Sequence, residues 1–264
     1  MKALFNQYSH ILQITSLPKL KAIILLLCIS LSSCSMATQA ANVQEDAELE
    51  AKVLQIIQKH PEAIMKSVEA HVQKKEHQQE QAQKAFFKKM VVQPKSIIGK
   101  SPTDGSSESK IILLEFSDFQ CPFCAKTHQT LKQFIATNQG KITRVYKFLP
   151  ITDIHSEAMP SAKAAWAAGQ QGKFWQFHDI LFENQDKLSD SFYISTAKAL
   201  NLDLKRFNKE RNSRAASAAV ETDMQLAKEI GVSGTPTLLM NGQILKGDVQ
   251  ITDLEKLLSQ DNQQ

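Results

Sequence analysis

The sequence predicts an α/β domain, a mixed sheet with helices on its faces, preceded by a separate helical segment. Three observations carry that expectation. The run Ile111-Ile-Leu-Leu-Glu-Phe116 is apolar on both faces except at Glu115, as a fully buried strand is, and a helical stretch to about residue 137 follows it. A second strand is expected over residues 142–149. A long helical block over about 156–230 then closes on Thr237-Leu-Leu-Met240, Asn241-Gly242 and Gln243-Ile-Leu-Lys246, a hairpin whose Asn-Gly pair suits a type I′ turn. A last helix covers about 252–259. Strand, helix, strand, helical block, antiparallel hairpin and helix together make a mixed sheet with helices packed on it.

The helical block is interrupted near Gly169–Gly172, Asp186–Asp190 and Asn201–Asp203. Its aromatic residues Trp166, Phe174, Trp175, Phe177 and Phe182 recur mostly at helical spacing and are expected in the core. The basic run from Lys205 to Arg214 reads as a solvated helix face.

Upstream, residues 42–90 are helical in pattern and rich in Gln, Lys and Glu. Val53, Leu54, Ile56 and Ile57 form one apolar patch before a break at His60-Pro61, and Ile64, Val68 and Val72 then recur every four residues. A stripe of this kind needs cover, and helix–helix self-association through residues 42–90 is favoured over packing on the domain's own surface. Its length does not distinguish dimer from trimer. Residues 91–109, with Pro94, Gly99, Pro102, Gly105 and paired serines, read as a linker to a domain over residues 110–264.

Residues 1–33 read as an export signal. Lys19 and Lys21 precede an apolar run over 22–31 that is too short to span a bilayer as a stable helix. The run ends in Leu31-Ser32-Ser33-Cys34, which resembles a bacterial lipobox with Cys34 as the lipidated residue, and Ser35 after it then resembles an outer-membrane sorting signal. Cleavage after Ala40 or Ala41 is the alternative, and both export the chain. The chain has 264 residues and a formal charge of +4, but the leader holds Lys2, Lys19 and Lys21 and no acid. Without it 28 basic residues face 27 acidic ones, and the concentrated basic face that nucleic acid requires is missing.

Of four cysteines, Cys28 and Cys34 belong to the leader and its end, which leaves Cys121 and Cys124. A disulfide closing so small a loop adds little stability, so the pair is kept for redox chemistry or for a metal. Disulfide exchange needs one attacking thiolate and a second thiol to resolve the mixed disulfide. Cys121 falls at the start of a helix, where free backbone N–H groups and the helix dipole stabilise negative charge, and Pro122 costs no hydrogen bond in the first turn. Such settings lower a thiol from about 8.5 to about 3.5–7.5. Cys124, one turn deeper, is the expected resolving thiol. For a metal, His128 shares a helix face with Cys124, but a closed zinc site needs four ligands and His155 and His178 read as isolated capping or surface residues.

Two motifs then carry a resemblance. Leu113-Leu-Glu-Phe-Ser-Asp-Phe-Gln-Cys-Pro-Phe-Cys124 resembles the active-site strand and helix start of the DsbA-like thioredoxin-fold oxidoreductases, and Gly231-Val-Ser-Gly-Thr-Pro-Thr237 resembles their cis-proline loop. The likeness covers about residues 108–260 and implies a thioredoxin fold with an all-helical insertion. The N-terminal helical segment resembles the arms of oligomeric members with isomerase activity. By this resemblance Glu115 is the buried acid that exchanges a proton with Cys124, with a pKa raised by burial. Pro236 is the cis-proline that faces the disulfide and leaves neighbouring backbone free to pair with substrate. Thr235 tunes redox behaviour, in the manner of the isomerases. Phe123 stands where the strongest oxidase of the family has histidine, which implies a milder oxidant.

The implied activity is formation or isomerisation of disulfides in exported, cysteine-containing proteins in the periplasm. No organic cofactor is implied, and a membrane redox partner resets the pair. Two readings from other classes stand beside it: a client-binding chaperone or surface protein in which the cysteines are incidental, and a copper- or zinc-handling protein.

Overall fold

The computed structural model describes residues 47–105, 109 and 111–261. The export signal, Cys34 and residues 42–46 of the helical segment lie outside them. The chain divides into two units between Gln73 and Lys74.

In the first unit, helix α1 covers residues 47–59, and Pro61 opens α2 (Pro61–Val92), with His60 between them outside both helices. The break falls where proline has no N–H to give to a continuing helix. Every residue from 47 to 73 is exposed, including Leu49, Val53, Leu54, Ile56, Ile57, Ile64, Met65, Val68 and Val72.

The second unit begins inside α2. Phe86 and Met90 are buried, and Gln83 Nε2 donates to the Ile230 carbonyl at 3.0 Å. Among its described residues, the stretch read as a linker is instead partly structured. It holds α3 (Pro94–Ile98), which buries Ile97, and β1 (Thr103–Gly105), an added edge strand. Pro94 occupies the first turn of α3, where proline fits, and Gly105 adopts φ +92 against the Ile142 carbonyl, a close approach that excludes a side chain. Residues that read as loop formers are here helix-start and strand-edge residues.

The sheet has the order β1-β3-β2-β4-β5. Strand β2 (Ile111–Ser117) runs parallel to β3 (Ile142–Phe148) and antiparallel to β4 (Thr237–Met240), which pairs with β5 (Gln243–Lys246). Asn241 and Gly242 both have positive φ, as the two-residue hairpin requires. Side chains alternate across β2. Ile112, Leu114 and Phe116 pack with Phe86, Met90, Ala227 and Ile230. Leu113 meets Leu131 and Phe134 of α4 (Pro122–Thr137) and Leu254 of α10 (Ile251–Asp261).

Between β3 and β4 lie α5 (Ala158–Gly169), α6 (Phe174–Glu183), a short 3-10 turn (Gln185–Lys187), α7 (Asp190–Ala199), α8 (Leu204–Arg211) and α9 (Arg214–Glu229). Ser189, Asp203 and Ser213 cap α7, α8 and α9 by accepting the N–H groups of Phe192, Arg206 and Ala216, each cap worth about 1 kcal/mol. Phe174, Phe177 and Phe182 are buried in this insertion's core, with Trp166 and Trp175 packed against it. Among the described residues no helix is long and apolar enough to cross a membrane.

Candidate active site

Strand β2 ends at Ser117, and a turn over Asp118–Gln120 delivers the chain to Cys121, the N-cap of α4, with Pro122 in its first turn. The turn is clamped. The buried Asp118 carboxylate accepts the Gln120 N–H at 2.8 Å, the Ile151 N–H at 2.9 Å and a contact from His155 Nδ1 at 2.7 Å. From the insertion, Gln185 Nε2 donates to the carbonyls of Phe119 and Cys121 at 2.8 and 2.9 Å. Charge-assisted bonds of the kind Asp118 makes are worth about 1.5–3 kcal/mol each. Cysteine geometry here is therefore set from three elements.

The loop before β4 meets this turn. The Thr235–Pro236 bond is cis, and Cys121 Sγ lies 3.5 Å from the Thr235 carbonyl. Both thiols are free: Cys121 is 5% exposed and Cys124 fully enclosed. Phe123, between them, is 57% exposed, and Ile154 on the loop tied to Asp118 is also exposed.

The two thiols are driven apart in acidity. Cys121 is held at about 6, chiefly by a hydrogen bond from the Cys124 thiol, against the cost of burial, with the Thr235 side chain and the backbone N–H groups of Cys124 and Phe123 adding to it. Cys124 is pushed well above the ordinary thiol range by burial, and by donating to Cys121 and facing its charge. At neutral pH the outer sulfur is a thiolate and the inner one a thiol.

Glu115 is fully buried, as expected, but its acidity runs against the expectation. Burial pushes its pKa up, yet the Arg144 guanidinium, bonded at 2.9 and 2.7 Å, together with His178 and His128, outweighs burial and leaves it below the ordinary carboxylate value. A lowered pKa makes this carboxylate a weaker proton acceptor than the raised value expected of the relay.

The histidine reading is also corrected. His178 is completely enclosed in the insertion, not a surface residue, and its ring lies 5.0 Å from that of His128. Burial is the main cause holding His178 down to about 4 and lowering His128. His155 does serve the turn, through Asp118. Arg144, Gln185 and Asp118 were not singled out from the sequence. Asp118 had a signal, an acid two residues before a glutamine at a strand end, where Asx turns form; Gln185 had none.

A thioredoxin family profile matches residues 98–260. Among curated proteins, the Na(+)/H(+) antiporters NhaA 3 of Salinispora tropica and NhaA 1 of Salinispora arenicola are 34% and 35% identical over 150 residues, 57% of this chain but 23% of each of those proteins. The chain thus spans under a quarter of their length. Among solved structures, the thiol-disulfide exchange protein alpha-DsbA2 of Wolbachia pipientis aligns with a TM-score of 0.60 at 21% identity, covering 71% of this chain and 97% of that one. A thioredoxin-like oxidoreductase of Silicibacter pomeroyi gives 0.59 at 24% identity, covering 64% and 98%. ScsC of Proteus mirabilis in a transitional conformation gives 0.57 at 20%, covering 83% and 97%. These structural likenesses concern the fold.

Proposed function

The chain belongs to the thioredoxin family, in the DsbA-like form of its fold, and we propose that it is an exported thiol–disulfide oxidoreductase acting on cysteine-containing proteins. One observation carries this reading: an outer thiolate at a helix start and an enclosed inner thiol stand beside the backbone of a cis-proline loop. In exchange, the Cys121 thiolate attacks one sulfur of a client disulfide, the S–S bond breaks, and the client's other sulfur leaves as a thiolate. A second client thiolate that attacks the mixed disulfide frees Cys121 with a rearranged client and no net electron transfer. Attack by Cys124, once deprotonated, instead closes Cys121–Cys124 and leaves the client reduced. The reverse sequence oxidises a client and returns the enzyme pair reduced, Cys121 as thiolate and Cys124 as thiol.

The Thr235 carbonyl beside Cys121 suits pairing with an extended client strand, and exposed Phe123 and Ile154 offer apolar contact to it. Pro122 opens the helix whose first N–H groups help to lower the Cys121 pKa, and Pro236 follows Thr235, whose carbonyl lies beside Cys121. Self-association through the exposed stripe of α1 and early α2 would present several sites to one client, which favours isomerisation. The setting is the periplasm, with a membrane partner that resets the pair, and a lipid on Cys34 would tether the chain to the outer membrane.

The test is recovery of activity by a scrambled-disulfide protein in glutathione buffer. Catalysed recovery that vanishes in Cys121→Ser is the expected result. Recovery at the buffer rate, with reduced client also left unoxidised, would sink the enzyme reading in favour of a client-binding role.

A further inference from the structure

His128 of α4 comes together with His178 and Asp179 of α6 across the helix–helix contact. Asp179 Oδ1 lies 2.9 Å from His178 Nδ1 and 3.7 Å from His128 Nε2, and one donor atom of each of the three residues falls within 4.8 Å of the others. Donors about 3.3 Å apart surround a tetrahedral ion whose metal–nitrogen bonds are about 2.0–2.1 Å, so shifts of about 1 Å or less would complete the set. The rings are held in place: His128 stacks on Phe182 with centroids 5.2 Å apart, and Trp175 and Phe119 meet His178 edge-on. His128 Nδ1 is buried and unpaired among the described residues.

Asp179 is one-third exposed and opens on a cavity of about 570 Å³ that His128, Lys132, Asn138 and Trp175 also line, which gives an ion an entry path and room for water. Two cations stand nearby, and neither blocks the site. Arg144, 3.5 Å from His178 Nε2, is committed to Glu115 through two bonds. Lys132 pairs with Asp179 at 3.5 Å but also reaches Glu183 at 3.6 Å, so it can yield Asp179 and keep a carboxylate.

We propose that His128, His178 and Asp179 form a binding site for a divalent transition-metal ion of the zinc class, with its remaining position open to the cavity. Two imidazoles and a carboxylate match that class, and the ion would clamp the helix that carries Cys121 to the helical insertion. The site is separate from the cysteine pair and does not depend on the exchange chemistry.

The test uses the protein with its cysteine pair oxidised, so that no thiolate competes for metal. Zinc chloride is titrated by calorimetry, and bound zinc is assayed after gel filtration. One equivalent per chain is expected, with affinity at least tenfold weaker in Asp179→Asn, a near-isosteric change at a partly exposed site, and in His128→Gln. Zinc should raise the melting temperature of the parent and not of Asp179→Asn. No uptake overturns the proposal. Equal uptake by both variants also overturns it, and assigns the metal to imidazoles elsewhere, such as His60 between α1 and α2 or His71 and His77 in α2.

Discussion

The two units treat their apolar residues in opposite ways. From Lys74 onward, Leu113, Leu114, Phe116, Leu131, Phe134 and Leu239 are enclosed, and the described large apolar side chains that remain exposed are Val91, Val92, Phe123 and Ile154. In residues 47–73, nine large apolar side chains are exposed, between 43% and 61%, at spacings of three and four residues. Burying one such side chain fully is worth about 1.5–3 kcal/mol, so the first unit holds a driving force that no contact among its described residues uses. Amphipathic periodicity marks a face that wants cover without saying what covers it; a sheet with helices on both faces supplies the cover internally.

The largest expected effect breaks the contrast outright. Val53→Ser, Ile57→Ser, Ile64→Ser and Val68→Ser together should convert an oligomer to a monomer in light scattering, while alkylation of Cys121 keeps its rate. A parent protein that is already monomeric would remove self-association as the use of the stripe. Next is the interior of the second unit. Arg144→Met should lower stability by about 3–5 kcal/mol in urea titration, because Glu115 is left charged and enclosed, and Glu115→Leu added to it should restore most of the loss. The oligomeric state should not change in either. Unequal behaviour of this kind would confirm that the units are stabilised separately.

The smallest effect is on acidity. Alkylation of Cys121 in the reduced protein should rise with a midpoint near about 6, and Phe123→His should move that midpoint down. A folded-state pKa depressed below the unfolded thiol's about 8.5 contributes stability that is complete above 8.5 and lost as pH falls through about 6. The reduced protein should therefore gain stability between those pH values. Above them the raised Cys124 reverses the trend, since the unfolded thiol ionises while the enclosed one does not. A flat stability profile from 6 to 8.5 would contradict the Cys121 shift.

Local rules made much of the site readable. Pro122 after Cys121 marks a helix start, Asn241-Gly242 marks the hairpin, and the apolar run around Glu115 marks a buried strand; each depends on residues within a turn or a strand of one another. The segment over 91–109 misled because Pro94 and Gly105 fit a loop, a helix start and a strand edge equally well, and packing chose among them. Phe86 and Met90 belong to the same helix as the exposed stripe, and only the core beneath the sheet separates their fates.

The sequence by itself determined the element order from β2 onward, the reactive pair and its place at a helix N-terminus, since backbone geometry and hydrophobic periodicity are short-range. Tertiary structure decided the charges. Arg144 reaches Glu115 across 29 positions and reverses the pKa direction that burial alone implies. His128 and His178, 50 positions apart, become neighbours because α4 and α6 pack together. Electrostatic and coordination chemistry depend on distances of a few ångströms between groups with no periodic relation along the chain, so only the folded arrangement could bring them into reach.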